Sequence, residues 1–219
     1  MKSVTIPINS IDLEGELIIP KDCLGLVIFA HGSGSSRKSP RNTFVAQILQ
    51  KSGLGTLLFD LLTEKEDEVY ANRFNIPLLA ERLKVATNWL KSQKEVKNLS
   101  AKGGSAFGGK IGYFGASTGA AAALIAAANL GQDIGAVVSR GGRPDLALDI
   151  LSKVKAPTLL IVGGDDTEVI ELNRLAYNAL LSKKELSIVP GATHLFEEPG
   201  TLEQVAELAK NWFLKYLKS

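Results

Sequence analysis

The chain alternates between short apolar runs and longer amphipathic ones. Residues 24–30, 55–59, 110–114, 134–138, 158–162 and 185–189 are runs rich in β-branched and other apolar side chains. Continuous apolar character, rather than strict alternation, suits parallel strands covered on both faces. Two further runs, 4–8 and 14–19, lie close enough to pair as an antiparallel unit at an edge. Between the strands the period changes to that of a helix. Phe44, Val45, Ile48 and Leu49 share one face, and Gly53 can close that helix in a left-handed conformation. Leu79, Leu83, Ala86 and Leu90 form a second stripe, which Pro77 can start. Residues 120–130 are alanine-rich and predict a helix lying close on a sheet. Thr201 and Gln204 have the spacing of a capping box ahead of Val205, Leu208, Trp212 and Phe213.

This alternation predicts an α/β fold: an eight-stranded, mostly parallel sheet with helices on both faces. No composition shift or long linker marks a second domain, so residues 1–219 read as one unit. The glycine-rich stretch 102–109 reads as a flexible loop leading into the central strand.

Composition narrows the class. There are 25 basic and 23 acidic residues, a net charge of +2, which gives no case for a nucleic-acid partner. The N-terminus alternates and has no signal-peptide core, and no run is long enough to span a membrane. The single cysteine, Cys23, cannot form an internal disulfide and reads as a small core filler; a reducing cytoplasm is the simplest compartment. Asp60 and the acidic run from Glu64 to Glu68 read as a solvated loop. They lack the histidine or cysteine company of a transition-metal site, so no metal is expected.

In an open parallel sheet, function gathers where strands end at their carboxyl side. The polar residues that follow the strands are therefore the candidates. Gly115-Ala116-Ser117-Thr118-Gly119 joins the strand at 110–114 to the alanine-rich helix, a G-x-S-x-G pattern in a strand–turn–helix context. Such a turn thrusts the serine oxygen into a cleft. A serine hydroxyl needs a base, and the base needs an orienting carboxylate. The chain has two histidines, His31 and His194. His194 follows the last strand, which makes it the base for Ser117. Three aspartates compete for the third role: Asp165 and Asp166 after the penultimate strand, and Asp145 after the one before it.

These loops, in this order, resemble the α/β-hydrolase superfamily, and more narrowly its small, lid-less dienelactone-hydrolase-like branch. The resemblance covers essentially the whole chain. It rests on the glycine-rich turn at His31, the elbow at Ser117, the acid loop at Asp166 and the histidine loop at His194. It implies a triad of Ser117, His194 and Asp166, ester-type hydrolysis, no cofactor and no cap domain. The sequence departs from the family pattern in one respect: dienelactone hydrolases proper place a cysteine where this chain has Ser117.

An oxyanion needs two preorganised donors. The amide of Thr118 is one expectation, and the amide of Ser33 in the His31-Gly32-Ser33 turn is the other, with His31 shaping that turn. A phosphate-binding reading of Gly32-Ser33-Gly34 fails on spacing, because the third glycine of a dinucleotide fingerprint would fall at Arg37. Arg37, Lys38, Arg41, Arg140 and Arg143 follow strands and should border the cleft. Arg140 and Arg143 either hold a carboxylate or phosphate of the substrate, or pair locally, for example with Asp145. The sequence thus reads as a serine hydrolase for a small-molecule ester, with a shallow pocket completed by loops or by a second subunit of a homodimer. Acyl transfer or peptide cleavage on the same residues, and a non-catalytic binding scaffold, are the alternatives.

Overall fold

The computed structural model describes residues 2–101 and 110–218. Eight strands form one sheet in the order β1-β2-β4-β3-β5-β6-β7-β8. β1 (Lys2–Ile8) and β2 (Ile11–Ile18) pair antiparallel at one edge, and β2 runs antiparallel to β4 (Leu54–Phe59). β3 (Gly25–Ala30), β4, β5 (Ile111–Ala116), β6 (Ile134–Arg140), β7 (Thr158–Gly163) and β8 (Lys184–Val189) are parallel. From β3 to β7 every strand residue is buried, which is why those runs carry no polar alternation. The order reverses between β3 and β5, so their carboxyl ends open the crevice where open α/β sheets place ligands.

Helices α1 (Pro40–Lys51) and α7 (Thr201–Leu217) cover one face through Val45, Leu49, Val205 and Phe213. Helices α3 (Ile76–Ser92), α5 (Thr118–Leu130) and α6 (Thr167–Ala179) cover the other. Gly53 has φ +84°, the left-handed conformation expected after α1. Asn75 caps α3 ahead of Pro77. In α5 the alanines from Ala120 to Ala123 are fully buried; only a helix this slim fits so near the sheet. The end of α7 plugs the amino ends of the central strands. A Cβ on Gly25 would lie 2.7 Å from Leu217 Cβ, and one on Gly112 would lie 2.7 Å from Phe213 Cε1.

Several expectations need correction. The acidic run is not a loop. Thr63 and Glu66 form a capping box that starts the short helix α2 (Glu64–Asp67), and Glu66 pairs with the largely buried Arg82 at 2.7 Å. The capping box at Thr201 does not form. Gly200 occupies the cap position and Thr201 Oγ1 donates instead to the Glu198 carbonyl. Helices α4 (Lys94–Ala101) and α6, and a 3-10 segment at Pro144–Lys153, add to the predicted set. The stretch 102–109 lies outside the described residues. Among the described residues no helix is long and apolar enough to cross a membrane.

Candidate active site

Ser117 stands alone between β5 and α5, with φ 50° and ψ −122°. L-residues avoid this conformation, and it stores about 1–3 kcal/mol of strain. Surrounding contacts over-determine it. The Ser117 N–H donates to the Arg140 carbonyl at 3.3 Å, and its own carbonyl accepts from the amides of Ala120 at 3.1 Å and Arg143 at 3.0 Å. The flanking glycines are steric requirements. A Cβ on Gly115 would lie 2.5 Å from Ala120 Cα, and one on Gly119 would lie 2.3 Å from the Ala30 carbonyl oxygen.

His194 comes from the loop after β8, and its Nδ1 lies 2.6 Å from Asp166 Oδ2. Asp166 is the residue before α6, in the turn that follows β7. Of the three aspartates open on sequence, this one reaches the histidine. Asp165 is exposed, and Asp145 is forked by Arg143 at 2.8 Å. The acid and histidine loops are stapled together through backbone: Gly164 N–H to the Val189 carbonyl at 2.8 Å, and Asp165 N–H to the Ala192 carbonyl at 2.9 Å. The loop after β6 joins the same cluster. A Cβ on Gly141 would sit 3.6 Å from His194 Cε1, two residues from the Arg143 amide that holds Ser117. Among the described residues neither Ser117 Oγ nor His194 Nε2 makes a hydrogen bond, His194 being held through Nδ1 alone. A separate cleft of about 460 Å³ lies beyond the His31 turn, between Arg37, Asp60 and Thr63, and does not include them.

The turn after β3 packs directly on the elbow, where a Cβ on Gly32 would lie 3.1 Å from Ser117 Cβ. His31 is pinned from both sides. The Leu61 amide donates to its Nε2 at 3.0 Å, so the proton sits on Nδ1, which donates to the Gly32 carbonyl at 2.9 Å. Burial pushes its pKa below the ordinary histidine value. This neutral, doubly bonded ring shapes the turn. The amide of Thr118 opens α5 and belongs to the helix-start N–H groups that have no intrahelical acceptor. The Ser33 amide is engaged, donating to Thr118 Oγ1 at 3.0 Å.

Comparison with known proteins identifies the family and the fold. The family model described as the dienelactone hydrolase family matches residues 13–219. The chain belongs to that family. A dienelactone hydrolase crystal structure from Anabaena variabilis is 52% identical and covers 99% of this chain and 98% of its own, with a TM-score of 0.91. A Xanthomonas campestris member of the α/β serine hydrolases without a lid shares the fold at 18% identity, TM-score 0.75, covering 100% of this chain and 95% of its own. A Mycobacterium tuberculosis protein, provisionally named a phosphoribosyl transferase, is 53% identical over 216 residues, 99% of this chain. The chain spans 46% of that relative's length. Family and sheet order together give the chain the α/β-hydrolase fold.

Within this dienelactone-hydrolase-family chain the basic residues divide sharply. Arg37 is ion-paired with Asp60 and Glu14, and Arg41 with Glu197 at 3.1 Å. Arg143 is forked onto Asp145, the local pairing left open on sequence. Arg140 is different. It is 5% exposed, yet among the described residues no carboxylate pairs with it. Its Nη2 donates to Asn42 Oδ1 at a long 3.4 Å, its Nε has no partner, and its guanidinium lies 5.8 Å from the Phe196 ring centroid. Burial, and then the neighbouring Arg41, lower its pKa to about 10. Sequence reasoning missed Asn42, Phe196 and the Thr118 hydroxyl around the site. The paired glycines at the ends of β6 and β7, Gly141-Gly142 and Gly163-Gly164, were the available signal of backbones in close approach.

Proposed function

We propose that this chain is a serine hydrolase that cleaves a small carboxylic ester through an acyl-enzyme on Ser117. The observation that carries the reading is the 2.6 Å contact between His194 and Asp166, beside a serine in a strained strand-to-helix turn. His194 Nε2 takes the Ser117 proton as Oγ attacks the carbonyl carbon. Asp166 holds the Nδ1–H and stabilises the imidazolium. The Thr118 amide, together with the Ser33 turn, faces the developing oxyanion. The tetrahedral intermediate collapses as His194 protonates the leaving alcohol. Water, deprotonated by the same ring, then releases the acid. No cofactor enters these steps.

Arg140 supports a narrower reading of the substrate. A buried guanidinium without a carboxylate is costly unless an anion meets it. It ends β6, and its own carbonyl holds the Ser117 amide, so we assign it, rather than the paired Arg143, to a carboxylate or phosphate group of the substrate. The phosphoribosyl transferase name of the Mycobacterium relatives belongs to proteins about twice this length.

The test is a panel of short p-nitrophenyl esters, thioesters and amides, with Ser117→Ala as control and fluorophosphonate labelling alongside. Ester turnover and labelling that both vanish in the variant support the reading. Turnover that survives in Ser117→Ala, or a wild-type protein that neither labels nor turns over, sinks it in favour of a binding scaffold. Acyl transfer would appear as ester product when an alcohol acceptor is added.

A further inference from the structure

The amide of Ser33 faces the elbow but is already bonded. It donates to Thr118 Oγ1 at 3.0 Å, across 85 residues of chain. Thr118 is 3% exposed, and its hydroxyl has one hydrogen-bond partner among the described residues, this amide. The hydroxyl therefore uses a lone pair on Ser33 and keeps its own proton uncommitted. A hydroxyl has one donor and two acceptor sites, so accepting from an amide leaves it able to donate, and accepting polarises the O–H. The backbone N–H of the same residue is also without an intrahelical acceptor. Thr118, the residue directly after Ser117, thus carries two donors, one of them backed by Ser33.

We infer that the second oxyanion donor is the Thr118 hydroxyl, relaying the Ser33 amide, rather than that amide acting directly. The inference rests on the serine-hydrolase reading and deepens it. When Ser117 Oγ adds to the carbonyl carbon, the carbonyl π pair moves to oxygen. The resulting oxyanion accepts from Thr118 N–H and from Thr118 Oγ1–H. The hydroxyl oxygen gains negative character as it donates, and the Ser33 N–H bond to it strengthens at that moment. No proton changes owner. The stabilisation is greatest where charge is greatest, as catalysis requires. The alternative is a gate, in which a substrate carbonyl displaces the hydroxyl and takes the Ser33 amide for itself. The two arrangements predict opposite consequences of removing the hydroxyl.

The experiment compares Thr118→Val and Thr118→Ser with the wild type, using p-nitrophenyl acetate turnover and the rate of inactivation by a p-nitrophenyl phosphonate. Valine keeps the branched shape and deletes the hydroxyl; serine keeps the hydroxyl. The relay predicts that Thr118→Val loses about 10- to 100-fold in kcat and in inactivation rate, at little-changed KM, as for loss of one oxyanion donor. It predicts that Thr118→Ser restores most of both. A Thr118→Val protein that turns over and inactivates at the wild-type rate or faster overturns the relay and favours the gate. Thermal melting separates a folding defect: equal losses in the valine and serine variants with lowered melting points would also count against it. A wild type that does not react with the phosphonate at all removes the serine-hydrolase reading itself, and the relay with it.

Discussion

Gly163 and Ala192 are in backbone contact: a methyl group on Gly163 would stand 2.3 Å from the Ala192 carbonyl oxygen. The contact sets the distance between the loop that carries Asp166 and the loop that carries His194. Neither backbone can yield without moving a functional side chain. Gly163→Ala should therefore lower stability by about 2–3 kcal/mol and reduce ester turnover further than the lost stability explains. Urea denaturation and kcat on the same preparation measure both. Unchanged kcat in a folded variant would show that the loops are independent.

The acid role can be tested among three residues at once. Asp166→Asn should lower kcat by roughly 10³- to 10⁴-fold, because an amide cannot stabilise the imidazolium or hold its tautomer. Asp165→Asn and Asp145→Asn should stay within about threefold of wild type, since neither carboxylate meets His194. Equal losses at Asp165 and Asp166 would contradict the assignment.

Strain at the elbow has its own signature. Ser117→Ala retains a Cβ at φ 50°, whereas Ser117→Gly does not. Both should be inactive. The glycine variant should equal or exceed the alanine variant in stability, by up to about 1 kcal/mol once the chain entropy of glycine is counted. A glycine variant clearly less stable than the alanine one would mean that the turn is relaxed.

His31 ties stability to pH with a definite sign. Its folded pKa lies below the ordinary value near 6.5 because burial disfavours the charged ring. The unfolded chain therefore takes up a proton first as pH falls through that value. Stability from this group is full above the unfolded pKa. It declines as pH drops below it, and levels off only once the folded pKa is passed. His31→Gln, which keeps an acceptor for the Leu61 amide, should flatten that part of the curve. Urea midpoints between pH 8 and pH 5 for the two proteins would show it, and parallel curves would exclude His31 as the source.

The proposed anionic group of the substrate is testable through Arg140. Arg140→Gln should raise KM for an ester bearing a free carboxylate by about 10- to 100-fold, the range of a charge-assisted hydrogen bond, and leave a neutral ester of the same size nearly unaffected. Equal effects on both esters would assign Arg140 a purely structural role.

Much of this was legible because the fold demands it. The strands from β3 to β7 are buried on both faces, so their apolar runs could hardly be written otherwise. The loops that bear Ser117, His31 and His194 follow directly from where those runs end. Choosing among aspartates was beyond the pattern. Asp165 and Asp166 are neighbours whose side chains leave the backbone in different directions, and only the fold puts one of them on the histidine. Thr201 misled because the capping-box spacing was present while the chain turned one residue earlier, at Gly200. The acidic run misled in the opposite sense: local capping by Thr63 and a distant partner, Arg82, turn a charged stretch into a helix. Arg140 and Arg143 looked alike in sequence, and their difference arises from which one has Asp145 within reach.

Leu217 and Phe213 fill the glycine hollows at the amino ends of β3 and β5, while Ser117 projects from the carboxyl end. A strand of six residues separates the two, roughly 20 Å at strand rise. The molecule thus has an anchoring pole and an opposite pole that carries Ser117. A reporter group or second protein joined through the end of α7 would depart from the anchoring pole, leaving the approach to Ser117 unobstructed by the junction itself.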